Sequence, residues 1–142
     1  MNWRLALPLG LLGPLMGTLV VLGAFPQGSD RWAWFAVVGV CALASARCAR
    51  QRALLHGAVI GFWNGASATL LQALFFDANV RNNPWLPEKF ANQPPGFDLE
   101  FFIFMLVPFI GVAGGAMTGL VAMFAARALP GGSNRGAGES TP

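Results

Sequence analysis

Four apolar runs, separated by short polar links, set the pattern of this chain: residues 5–25, 32–49, 53–76 and 101–126. Each approaches or exceeds the roughly 20 residues needed to cross a hydrocarbon layer about 30 Å thick. The second is the shortest, and Arg47 and Arg50 at its end have stems long enough to reach back toward headgroups. The third carries no Asp, Glu, Lys or Arg, yet holds Asn64, Ser67, Thr69 and Gln72. The pattern predicts an all-α integral membrane protein, a small bundle of four transmembrane helices occupying residues 1–129. The first run has Arg4 before it and Gly23-Ala24 near its end, as a signal peptide would. Its apolar core is too long for one and contains Pro8 and Pro14, so a retained span is expected.

Within the third run Gly57, Gly61 and Gly65 recur every fourth residue. At 100° per residue they share a stripe about 100° wide with Asn64, Ala68 and Gln72. The fourth run repeats the device with Gly111, Gly115, Thr118, Gly119 and Ala122, and the first does so more weakly with Gly10, Gly13 and Gly17. Lipid tails are as apolar as leucine, so helices in a bilayer associate through close packing and interhelical hydrogen bonds, and small residues allow that approach. The stripes are therefore expected to pack helix on helix. Either the third and fourth spans meet inside one subunit, which is the favoured arrangement, or one stripe forms a contact between subunits. Pro14 and Pro108 are expected to kink or widen their helices.

Composition agrees with a bilayer as solvent. The 142 residues are 55% hydrophobic and only 11% charged, with a mean hydropathy of +0.55. A water-soluble domain of this size cannot hide so much apolar surface. The net charge of +3 does not read as nucleic-acid affinity, because the cations form no basic stripe interleaved with aromatics. They sort by side of the membrane instead. Arg4, Arg47, Arg50, Arg52, Arg127 and Arg135 fall on one side; Arg31, Arg81 and Lys89 fall on the other with Asp30, Asp77, Glu88, Asp98 and Glu100. The positive-inside rule then puts both termini in the cytoplasm and loop 77–100 outside. Abundant Ala, Gly, Arg and Pro, with tyrosine absent, suggest a GC-rich bacterial genome and hence a bacterial cytoplasmic (inner) membrane.

Loop 77–100 contains Asn82-Asn83-Pro84 and Pro94-Pro95-Gly96 as turn signals. Between them a short helix is expected near 87–93, opened by Pro87, with Trp85, Leu86 and Phe90 as interfacial anchors. Asp98 is a candidate cap for the fourth span. The Gly/Ser-rich tail 130–142 is expected to be disordered.

Residues that could carry chemistry are few. Asp77, Arg81, Asp98 and Glu100 stand where the third span leaves and the fourth enters, a candidate external vestibule for a small solute or ion, with solvated helix ends as the plainer reading. His56 is the lone histidine, and Cys41 and Cys48 lie about 10 Å apart along a helix, too far for a mutual disulfide. One histidine and two separated cysteines assemble no metal cluster and no bis-histidine haem site, so no metal and no cofactor are expected. Enzyme signatures such as G-x-S-x-G, H-E-x-x-H or a P-loop are missing, and catalysis is not expected.

The layout resembles that of small four-span bacterial membrane proteins. The interval 5–25 holds no acid, unlike the first span of small multidrug-resistance exporters, and Asn64-Gly65-Ala66-Ser67 gives only a faint echo of the third span of fluoride channels. The expected function is non-catalytic: a structural or accessory subunit whose glycine stripes pack with itself, as a homo-oligomer, or with a larger membrane complex. The alternative is a small oligomeric channel or transporter lined by Asn64, Ser67, Thr69 and Gln72.

Overall fold

A computed structural model describes residues 3–129, and over them the chain is all-helical. The elements are α1 (Trp3–Gly10), α2 (Leu12–Val21), α3 (Asp30–Cys48), a 3-10 turn (Arg50–Arg52), α4 (Ala53–Leu74), α5 (Phe76–Asn82), α6 (Trp85–Lys89) and α7 (Leu99–Ala128). The expected tail 130–142 lies outside the described residues.

Three helical segments are long and apolar enough to cross a membrane: Trp3–Val21, Arg50–Leu74 and Leu99–Ala128, of 19, 25 and 30 residues. The fourth expected span, α3, is also 19 residues long. It falls short of that group because Asp30 and Arg31 open it and Arg47 closes it. At 1.5 Å per residue the apolar remainder is shorter than a hydrocarbon layer about 30 Å thick.

The first segment is broken at Leu11, just ahead of Pro14. Proline has no N–H and its ring crowds the carbonyl four residues back, so the bond from position 14 to the Gly10 carbonyl is missing. Pro108, expected to kink or widen its helix, lies inside α7, which runs from Leu99 to Ala128. The short loop helix is Trp85–Lys89 rather than 87–93, with Pro84 as its N-cap. Pro84 also ends α5, since the residue before a proline is pushed out of the helical region and Asn83 sits at φ −129°, ψ 70°. Asp98 caps α7, its Oδ1 accepting from the Phe101 N–H at 3.0 Å. Of the expected interfacial anchors, Phe90 stacks on Phe97 with ring centroids 6.2 Å apart and meets Phe102 edge-on at 5.8 Å, while Lys89 lies over the Trp85 ring.

α4 is the central helix. α7 packs antiparallel along one side of it, and α1 and α2 run parallel along another, while α3 leans on α7 and α4. Trp3 and Leu129, the first and last described residues, therefore lie at the same end as the Arg50–Arg52 turn. The interior is built from small residues: Ala42, Ala46, Ala53, Ala122 and Ala126 form one cluster, and Ala6, Cys41 and Ile60 another. Large apolar side chains point outward, with Phe109 and Trp32 each 69% exposed and Leu11 66%.

Candidate functional site

The site begins with the gap in the first segment. In an unbroken helix the Gly13 N–H would donate to the Leu9 carbonyl, four residues back. Here both groups turn to the side chain of Asn64 on α4. Gly13 N–H donates to Asn64 Oδ1 at 2.8 Å, and Asn64 Nδ2 donates to the Leu9 carbonyl at 3.1 Å. A side-chain amide thus fills the place of one backbone hydrogen bond. Asn64 Nδ2 also reaches Cys41 Sγ on α3 at 3.5 Å, so one residue, only 3% exposed, ties three parts of the bundle. Gly13 permits this, because a Cβ there would lie 2.5 Å from the Asn64 carbonyl oxygen. One turn on, Gly17 plays the same part against Ala68, where a Cβ would stand 2.8 Å from Cα.

The glycines of α4 serve the opposite side. A Cβ on Gly57 would be 2.8 Å from the Thr118 carbonyl oxygen, on Gly61 2.5 Å from Thr118 Oγ1, and on Gly65 2.7 Å from the Ile110 carbonyl oxygen. From α7, Gly115 approaches the Ala58 carbonyl, Gly119 the Leu54 carbonyl and Gly111 the Phe62 ring, all within 2.9 Å of such a Cβ. Gly114, outside the expected stripe, comes as close to the Gly61 carbonyl. The single stripe expected on α4 is therefore two: Gly57, Gly61 and Gly65 face α7, whereas Asn64 and Ala68 face α2. Both seams lie within one chain.

The other polar residues of α4 bond to their own helix. Ser67 Oγ donates to the Trp63 carbonyl at 2.6 Å, Thr69 Oγ1 to Gly65 at 2.9 Å and Gln72 Nε2 to Ala68 at 3.3 Å. Asn64 is the one of the four whose side-chain bonds cross to neighbouring helices.

A second polar clamp, unforeseen in the sequence, closes the far end of α2. The last four carbonyls of a helix have no internal partner, and here every one finds a donor. Leu22 and Ala24 N–H donate to Thr18 and Leu19, each at 3.0 Å, and Gly23 N–H to Val20 at 2.9 Å. This is a Schellman turn, with Gly23 at φ +68°. Asn83 Nδ2 adds a bond to Val20 at 2.8 Å, and Asn82 Nδ2 takes Val21 at 2.9 Å. Asn83 also donates to Asn79 Oδ1 at 3.0 Å.

The expected vestibule divides. Asp77, Arg81 and Glu100 surround a hollow of about 260 Å³. Asp98 lines a neighbouring one of about 480 Å³ with Glu100 and Phe104. His56 is buried at 4% exposure, its Nδ1 donating to the Arg52 carbonyl at 3.2 Å. Cys41 and Cys48 are both free thiols. Among the described residues no three His, Cys, Asp or Glu side chains gather in a metal-ligating group. No protein family, curated protein or solved structure matches this chain.

Proposed function

We propose that this chain is an integral protein of a bacterial cytoplasmic membrane and acts as a non-catalytic structural or accessory subunit. The inside-out distribution of side chains supports the membrane part of this reading. Small and polar groups are inside and Phe, Leu and Trp outside, a surface that would aggregate in water and that lipid covers without cost. We further infer that α3 is a fourth span, with Asp30 and Arg31 at one headgroup layer and Arg47 snorkelling into the other, and that the arginine-rich end faces the cytoplasm.

The observation that carries the function is the use made of the mid-span polar groups. Asn64 spends both ends of its amide on Gly13 and Leu9, and the hydroxyls of Ser67 and Thr69 bond to carbonyls of α4 itself. Asn64 so engaged holds helices together, and Ser67 and Thr69 direct their hydroxyl protons to their own helix. Because the glycine seams are used within the chain, contact with another copy or a larger membrane partner falls to the apolar outer faces. Reconstitution in liposomes tests the assignment. Wild type and Asn64→Leu are expected to leave proton, potassium and chloride permeability at the level of protein-free vesicles. A conductance that Asn64→Leu or Gln72→Leu alters, in protein that still folds, would establish the channel reading instead.

A further inference from the structure

Where α3 ends, the 3-10 turn leads into α4 and α7 closes the corner, two adjacent hollows open at the arginine-rich end. One, of about 440 Å³, is walled by Arg47, Arg50, Arg52 and His56. The other, of about 430 Å³, is walled by Arg50, Arg52 and Arg127 together with Leu54, Met123 and Ala126. Arg50 and Arg52 thus border both. The guanidinium of Arg50 is steadied by donating to the Leu129 carbonyl at 2.8 Å; all four arginines are exposed. Every described carboxylate, on Asp30, Asp77, Glu88, Asp98 and Glu100, lies at the opposite end of the helices. The α4 N-cap is Arg52, which gives no side-chain acceptor to the first turn, so the positive helix end adds to the field of the arginines.

The chemistry asked for is two anionic groups a short distance apart on a molecule with an apolar tail. Guanidinium forks suit phosphate oxygens, and the wall of Leu54, Met123 and Ala126 gives the second hollow an apolar side that a free phosphate would not use. We propose that this end binds the headgroup of an anionic phospholipid carrying two phosphodiesters, one in each hollow, with Arg50 and Arg52 between them. The proposal rests on the membrane reading above but not on whether the protein conducts.

Native mass spectrometry of the full chain in mild detergent tests it, with a diphosphatidylglycerol lipid, phosphatidylglycerol and phosphatidylcholine added in turn. One diphosphatidylglycerol is expected to be retained, about tenfold or more tighter than phosphatidylglycerol, as two extra arginine–phosphate contacts near a membrane surface would give. The pair Arg52→Gln with Arg127→Gln should remove that preference, whereas Arg52→Lys with Arg127→Lys keeps most of it and Arg81→Gln, at the other end, leaves it intact. Thermal unfolding of each variant shows that the fold is retained, and the lysine pair keeps the test open should the glutamine pair unfold. Equal retention of the three lipids, equal loss with Arg81→Gln, or two phosphatidylglycerols held as tightly as one diphosphatidylglycerol would overturn the proposal. Displacement by millimolar inorganic phosphate would also overturn it, as a site for free phosphate. Recovery of the chain without detergent would be the separate failure of the membrane reading.

Discussion

At position 64 a side-chain amide does the work of a backbone one, and the energetics follow from what its removal would expose. Without Asn64 the Gly13 N–H and Leu9 carbonyl have neither each other nor water, at about 1–3 kcal/mol for each buried unpaired group. The geometry makes Gly13 as demanding as Asn64, because any side chain there displaces α4. Gly13→Ala is expected to lower stability by about 2–4 kcal/mol, by loss of both bonds. Gly39→Ala is the control: a Cβ at Gly39 meets nothing within 4 Å, and replacing a mid-helix glycine should raise stability by about 0.5–1 kcal/mol. Thermal unfolding in detergent measures both, and equal effects would contradict the clamp. The sequence marks Asn64 as a group able to bond across helices, because an amide in an apolar run has few other uses. Its partner was not legible, since Gly13 has a free N–H only once the break before Pro14 exists. Asn82 and Asn83 read as turn residues beside Pro84; their hold on Val20 and Val21 depends on where α2 ends in space.

Among the elements, α3 is where local reading and structure diverge most. Its run of apolar residues is real, but the charges at Asp30, Arg31 and Arg47 trim the uncharged part below an ordinary span. The limits of α4 and α7 were legible to within a few residues, because they coincide with the Arg50–Arg52 cluster and the Asp98 cap, whereas α5 lies mostly in what reads as loop. Division of the α4 stripe was not legible, since a 100° arc wide enough for two neighbours looks the same as one. Whether α3 crosses is settled by thiol labelling in intact cells. Cys48 is exposed at the arginine end and Gln27 precedes α3 at the other. With Cys48 replaced by serine in the second protein, an impermeant maleimide should label Gln27→Cys from outside. Native Cys48 should react only after permeabilisation. Labelling of both from the same side would rule out a crossing by α3.

The molecule as a whole has an interior made from close backbones and a few polar clamps. Ile60, Asn79, Thr118, Cys41 and Ser45 are the largest fully buried side chains, and four of those five carry a heteroatom. Ser45 Oγ and Asn79 Nδ2 have no hydrogen-bond partner among the described residues, so cohesion comes from approach distance and the bonds of Asn64, Asn82 and Asn83 rather than from large apolar side chains. Closure of the glycine seams within one subunit can be read from the native mass of wild type and Gly61→Leu in mild detergent, beside their unfolding temperatures. Both proteins are expected to have the same mass, with Gly61→Leu unfolding well below wild type because α4 and α7 are forced apart. A wild-type oligomer that Gly61→Leu dissolves into equally stable monomers would contradict closure within one subunit and make the α4 seam an interface between subunits.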